Sequence, residues 1–306
     1  MPAVVVQAFG LTRVFETRTA VDDLSFSVHA GEVLALLGPN GAGKTTTFRM
    51  LAGLLMPTRG DATVGGASLS PETADAIRAR VGLLTEAAGL WERLTVRNNL
   101  HTYAQLYGVA DPDGRVDDVL AAVGLADRAD DRAGALSKGL KQRAAIARAI
   151  VHDPAAVLLD EPTAGLDPAS ARDVRDLVRQ LRAQGRAVLV STHNLTEAEE
   201  LADRIAVMNA RLLACDTPRA LRERRRGGQV VVEVEGDASR WVSALRAAGA
   251  GEPRVEGERL IAPVEADAVV PDLVAALVAA GARIRRVVPH EPSLEETYLD
   301  LVRRDA

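Results

Sequence analysis

The chain has one cysteine, Cys215, in 306 residues. A single thiol cannot close an intrachain disulfide, so the core alone must hold the fold, as expected of a protein kept in a reducing compartment. Aromatic residues are scarce at 3%. No apolar run approaches the roughly 20 residues of a membrane-spanning helix. Runs such as Val33 to Leu37 and Ala155 to Leu159 have the length of strands. The opening MPAVVVQAFG lacks the charged start and long apolar centre of a secretory signal, so a cytoplasmic chain is expected. Lysine is nearly absent too: only Lys44, Lys138 and Lys141 occur, and every other cationic side chain of this kind is arginine. A genome biased toward arginine explains the depletion but not which lysines survive. Excess positive charge is also missing. A net charge of -5 offers no overall attraction to phosphate backbones and argues against a general nucleic-acid binder.

What is present is a globular composition, 47% apolar and 26% charged, on a chain long enough for two domains. As far as about residue 215, apolar strand-like runs alternate with helical patterns, the rhythm of an α/β layered domain. Strands are expected at Glu32 to Leu37, Ala155 to Asp160, Ala187 to Ser191 and Arg204 to Met208. Helices are expected at Lys44 to Ala52, Lys138 to His152, Ala169 to Ala183 and Leu195 to Ala202, with a helical subdomain over Thr95 to Gly124. The stretch RERRRGG, Arg222 to Gly228, holds no apolar residue and reads as a linker between domains spanning 1–221 and 229–306. An arginine cluster that touches anionic lipid or nucleic acid is the other reading of the same residues. Beyond it the order strand, helix, two short strands, helix, strand is the β-α-β-β-α-β arrangement of ferredoxin-like domains. Ser293 and Glu296 form a capping box that opens a last helix.

Directly after the first of these strands, Gly38, Pro39, Asn40, Gly41, Ala42, Gly43, Lys44, Thr45 and Thr46 spell GPNGAGKTT, which satisfies G-x-x-x-x-G-K-[ST]. Glycines at 41 and 43 let successive backbone N–H groups turn inward around phosphate oxygens, and the following helix adds its positive end. Lys44 is a compact charge for the β- and γ-phosphates, and the Thr45 hydroxyl is placed to ligate Mg²⁺. Arginine's planar fork fits that slot poorly, which accounts for one surviving lysine. A second acidic element, Asp160-Glu161, ends a buried strand. Asp160 suits Mg²⁺ and Glu161 the attacking water, although the same pair could simply cap the strand before a turn at Pro162. In ALSKGLKQR, Ala135 to Arg143, Ser137 and the N–H groups after it open a helix and make a further anion-binding terminus.

Taken together, these segments resemble the ATP-binding cassette ATPases. GPNGAGKTT resembles their Walker A loop, VLLDEP their Walker B strand and LSKGLKQR their signature motif, with Ser137, Lys138 and Gly139 at its centre. Gly165 to Asp167 resembles the D-loop, His193 in STHN the switch histidine, and Phe15 in LTRVF the aromatic that stacks on adenine. The motifs run in the family's order over about residues 4 to 215. The resemblance implies ATP and Mg²⁺ as ligands, hydrolysis by Glu161 with His193 at the γ-phosphate, and head-to-tail pairing in which Ser137 of one copy completes the Lys44 pocket of another. Two positions depart from the pattern. Glu86 stands where the Q-loop has glutamine, and the signature carries Lys138 in place of a glycine. Lys138 and Lys141 could face the opposite nucleotide or merely solvate a helix end.

GLWERLTVRNNL and the terminal HEPSLEETYLDLVRR resemble segments of the ATPases of bacterial drug and sodium efflux systems, including daunorubicin and doxorubicin exporters. That implies a separate membrane permease as partner, a homodimer or heterodimer of ATPase subunits, a place on the inner face of the membrane, and no nucleic acid. The alternative is a soluble cassette ATPase acting on DNA or ribosomes. The interval between Lys44 and Ser137 leaves no room for the long coiled coil of chromosome-associated members, and only one cassette is present where translation factors carry two. A P-loop kinase or GTPase would lack the signature.

Overall fold

The computed structural model describes residues 2–85, 87–223, 228–264, 269–290 and 293–305. It divides into two compact units, the second of which is Arg219–Arg304. The first opens with two long strands, β1 (Val4–Phe15) and β2 (Arg18–His29), then β3 (Val33–Leu37) and α1 (Lys44–Leu51). β4 (Arg59–Val64), β5 (Ala67–Ser68), α2 (Ala74–Arg78) and β6 (Val81–Leu84) lead to α3 (Val96–Leu106) and α4 (Pro112–Ala122). Next come α5 (Lys138–Ile150), β7 (Ala156–Asp160), α6 (Pro168–Ala183), β8 (Ala187–Thr192), α7 (Leu195–Leu201), β9 (Arg204–Asn209) and β10 (Arg211–Asp216). α8 (Pro218–Glu223) follows, and from Arg219 on it belongs to the second unit.

Six strands form the central sheet in the order β10-β9-β3-β8-β7-β6. All neighbours are parallel except β9 and β10. The sequences VLALL and AVLLD are buried throughout because both faces of the sheet are covered. Alternation assigns the faces: Val157 and Leu159 pack with Leu100, Ile146 and Val178 from the helices, whereas Leu158 and Leu36 pack with Val6, Leu24 and Phe48. The second face is covered by an antiparallel sheet, β2-β1-β4-β5, that the sequence pattern did not resolve. The expected helical region 95–124 is two helices. Thr95 caps the first through the Asn98 N–H, and Asp111 before Pro112 caps the second through the Gly114 N–H.

As lone imidazoles, His29, His101, His152 and His290 are expected to be packing residues; His152 is one, His29 and His101 are not, and the side chain of His290 lies outside the described residues. His29 pairs with Glu32 and His101 with Asp113 through half-exposed rings. His152 stacks on Tyr107 with centroids 3.9 Å apart and meets the Val81 carbonyl at 3.1 Å. Burial pushes its pKa from 6.5 down to about 4. Because the unfolded chain takes up this proton before the folded one does, the stability is complete above pH 6.5 and is lost as pH falls toward 4. The loss attributable to this ring is about 3 kcal/mol. His152→Gln should therefore show a shallower stability drop between pH 7 and pH 4.5 in denaturant titrations. An equal drop would place the acid sensitivity elsewhere.

The second unit contains β11 (Gly228–Val234), a 3₁₀ turn at Ala238–Trp241, α9 (Val242–Ala247), β12 (Arg254–Glu256), β13 (Arg259–Val264), α10 (Val270–Ala279), β14 (Ile284–His290) and α11 (Leu294–Asp305). Its antiparallel sheet runs β12-β13-β11-β14, the ferredoxin-like order. Val230, Val232 and Val234 on β11 alternate into a separate core with Leu245, Leu260, Leu273 and Leu277. The capping box is present: the Glu296 N–H donates to Ser293 Oγ and the Ser293 N–H to Glu296 Oε2. Arg222 and Glu223 close α8. Residues 224–227 of the expected linker lie outside the described residues.

Candidate active site

The strands β3, β8 and β7 are adjacent and parallel, so their C-terminal ends deliver three loops to one place. β3 feeds the glycine loop, β7 ends at Asp160-Glu161, and β8 leads into His193. A cavity of about 960 Å³ runs from Phe15 and Arg18 past Lys44 and Thr45 to Glu161 and His193. Its volume suits a nucleotide.

Gly43 closes the loop at φ 93, a left-handed conformation that leads straight into α1. A Cβ there would lie 2.4 Å from the Ala20 carbonyl, so only glycine lets β2 approach so closely. Lys44 is 6% exposed. Its ammonium donates to the Gly38 carbonyl at 2.6 Å and the Pro39 carbonyl at 3.2 Å. The charge is thereby held over the concave side of the loop. Phe15 sits half-exposed at the cavity rim rather than in the core, with the Arg13 guanidinium 4.6 Å from its ring centre.

Asp160 does not cap its strand. It is buried and accepts from the Thr45 hydroxyl at 2.7 Å through Oδ2 and from Ser191 Oγ through Oδ1. This hydroxyl and carboxylate, side by side at the loop, are a hard oxygen donor set that fits Mg²⁺. Glu161 has φ 48, an unusual left-handed backbone for a non-glycine residue, fixed by two contacts of its N–H to Ser191. The turn aims its carboxylate back at the glycine loop. Oε2 lies 2.9 Å from His193 Nδ1. Oε1 is buried without a hydrogen bond, 3.5 Å from Lys44 Nζ. Without a hydrogen bond and paired only with the Lys44 ammonium, this oxygen is placed to face a water at the phosphate cradle. The imidazole is exposed, and with Glu161 ionised its Nδ1 must donate.

Of the signature residues, Lys138 lines this cavity, whereas Ser137 and Gly139 do not. Ser137 caps α5 by accepting the Leu140 N–H at 3.3 Å; it is exposed and does not line the cavity of its own chain. Gly139 faces Ser170 so closely that a Cβ would lie 2.3 Å from its hydroxyl. The Lys138 ammonium donates to the Gly165 carbonyl at 3.0 Å, and Lys141 pairs with Glu92 at 3.2 Å. Asp167 caps α6 through the Ala169 and Ser170 N–H groups, and the Ser170 hydroxyl holds its carboxyl below the usual carboxylate range. Glu86 lies outside the described residues. Sequence reasoning missed Arg18, whose guanidinium lies 3.5 Å from the Gly41 carbonyl on the cavity wall. It also missed Gln142, which donates to the Pro162 carbonyl at 2.7 Å. Gln142 was legible as the fourth position after Lys138, hence on the same helix face. Arg18 carries no local signal.

A phosphate loop between β3 and α1, an acidic pair at the end of β7, a histidine after β8 and a serine-capped signature helix define an ATP-binding cassette ATPase. The ABC transporter family model matches residues 21–164. The linearmycin resistance ATP-binding protein of Bacillus subtilis is 33% identical over 308 residues, covering 98% of both chains. The Nod factor export ATP-binding protein I of Rhizobium sp. is 35% identical over 308 residues, covering 100% of this chain and 99% of that protein. The fluoroquinolones export ATP-binding protein of Mycobacterium tuberculosis is 42% identical over 219 residues, 71% of this chain and 72% of that protein. A solved structure described as the ATP binding subunit of an ABC transporter superposes with a TM-score of 0.65 at 30% identity, covering 72% of this chain and 92% of the other. The chain belongs to the ABC transporter family, as one of its ATP-binding, ATP-hydrolysing proteins. Among the described residues no helix is long and apolar enough to cross a membrane.

Proposed function

We propose that this chain is the ATPase subunit of an exporter: it hydrolyses Mg-ATP at a site shared between two subunits and drives a separate membrane permease from the inner face of the membrane. The observation that carries the shared site is the separation just described. Lys44, Asp160, Glu161 and His193 converge in one cavity, while Ser137 presents its helix terminus to the outside of the same chain. Only a second ATPase subunit, identical or sibling, brings such a terminus to the γ-phosphate. The relatives that match nearly the whole chain, accessory unit included, are export and resistance ATP-binding proteins, which supports a drug, antibiotic or other hydrophobic compound as cargo.

In this reading the residues divide the work. N–H groups of 40–46 and the positive end of α1 bind the phosphates, and Phe15 stacks on adenine with Arg13 on its other face. Lys44 exchanges its two carbonyl contacts for β- and γ-phosphate oxygens. Thr45 and Asp160 hold Mg²⁺, which when bound neutralises charge on those oxygens. Glu161 orients the attacking water and takes its proton at Oε1. His193 steadies Oε2 through Nδ1 and turns Nε2 to the γ-phosphate. Loss of the γ-phosphate removes the link between the two subunits, and that opening is what the permease reads.

Mixing two inactive variants tests the sharing. Lys44→Ala and Ser137→Arg homodimers should each be inactive. A mixed dimer regains one intact site, holding Lys44 from one subunit and Ser137 from the other. At equal amounts, half of the dimers are mixed, so about a quarter of wild-type turnover is expected with free exchange. Full activity from either variant alone would refute the shared site.

A further inference from the structure

Glu197, in the first turn of α7, is 4% exposed and does not line the nucleotide cavity; it lines a neighbouring cleft together with Glu161 and His193. Its two carboxylate oxygens are nonetheless fully engaged. Oε1 accepts the Thr163 hydroxyl at 2.6 Å and Oε2 the Thr192 hydroxyl at 2.7 Å. Thr163 is the second residue after Glu161, and Thr192 immediately precedes His193. The turn beneath is closed as well: the Asn194 N–H donates to Thr192 Oγ1 at 3.0 Å, and Asn194 Oδ1 accepts the Glu197 N–H at 3.2 Å.

An ionised carboxylate only accepts, so both hydroxyls must point their protons at Glu197, and each loop loses its freedom to rotate away. Glu161 and His193 leave different strands, β7 and β8. Their 2.9 Å contact therefore depends on two loops that are joined at their base by the Glu161 N–H to Ser191 but are not covalently continuous there. A buried carboxylate is a costly way to fill space that an apolar side chain would fill without desolvation. Its arrangement is specific to holding two donors at a set separation.

We propose that Glu197 is a positioning residue for hydrolysis: on the reading that Glu161 and His193 act on the attacking water and the γ-phosphate, it clasps the loops that carry them and sets their spacing. ATP binding, which depends on the glycine loop and α1, does not pass through this clasp. The inference predicts a loss in kcat with binding preserved.

The test measures steady-state ATP hydrolysis and equilibrium ATP binding for Thr163→Val, Thr163→Ser and Glu197→Ala, with Glu161→Gln and His193→Ala as references. Thr163→Val keeps the side-chain shape, leaves Glu197 in place and removes one of its two charge-assisted hydrogen bonds, so it remains informative if Glu197→Ala fails to fold. It should lower kcat about tenfold, with KM and ATP affinity within about twofold of wild type. Thr163→Ser, which restores the hydroxyl, should return kcat close to wild type. Folded Glu197→Ala should fall further than Thr163→Val. Unchanged kcat in Thr163→Val, equal losses of kcat and ATP affinity, or no rescue by serine would each overturn the clasp. If Glu161→Gln and His193→Ala themselves turn over normally, the catalytic assignment fails instead. If both are crippled while Thr163→Val is not, the clasp alone is wrong.

Discussion

Lys44→Ala is expected to weaken ATP binding by at least about a hundredfold, roughly 3 kcal/mol, so that micromolar affinity disappears. The magnitude follows from burial. At 6% exposure the ammonium is already dehydrated and aligned by the Gly38 and Pro39 carbonyls, so little of its attraction to phosphate is spent on ordering or desolvation. Lys44→Arg should not restore affinity, because a planar fork cannot occupy a slot shaped for a point charge beside Gly38. Titration with a fluorescent nucleotide or calorimetry reads the outcome. Micromolar binding by Lys44→Ala would contradict the role given to the loop.

Glu161→Gln separates binding from chemistry. The amide keeps the size of the carboxylate, and the left-handed turn at residue 161 is held by backbone contacts to Ser191 that the substitution does not touch. What it removes is the basic Oε1 beside Lys44. A lost general base costs about 10²–10⁴ in rate, so turnover should fall by that factor while ATP affinity stays within a few-fold. With hydrolysis blocked, the γ-phosphate link persists and an ATP-dependent dimer should accumulate in size-exclusion chromatography. Turnover at the wild-type rate would take Glu161 out of catalysis.

The sequence exposes the phosphate loop because its chemistry requires particular residues at fixed spacing between a buried strand and a helix. The parallel strands are legible for a related reason: burial on both faces leaves uninterrupted aliphatic runs such as Val33–Leu37. The antiparallel sheet over them is not. In β1, exposed Val4 and Phe9 break the alternation, and register shifts interrupt its pairing with β2, so VVVQAFGLTRVF carries no clean period of two. The single helical region expected over 95–124 divides because Gly108, Asp111 and Pro112 act as stop and start signals that periodicity alone passes over. In the site, Lys44, Asp160 and Glu161 announce themselves by motif. Thr163, Thr192 and Glu197 do not: a threonine after a turn and a glutamate on a polar helix look like surface residues. They meet only because β7 and β8 are neighbours in the sheet.

The lysine distribution gains a physical account as well. Lys44 gathers the carbonyls of 38 and 39 around one compact ammonium, while Lys138 and Lys141 reach the Gly165 carbonyl and Glu92. At Gly165 the ammonium fills the space a Cβ would need, and a guanidinium would demand more.

The most direct measurement is a crystal structure of Glu161→Gln grown with Mg-ATP. Two chains should enclose each nucleotide, its triphosphate wrapped by residues 38–46 of one and its γ-phosphate met by Ser137 of the other. A glycine loop without nucleotide, or ATP enclosed by one chain with Ser137 facing solvent, would contradict the shared site.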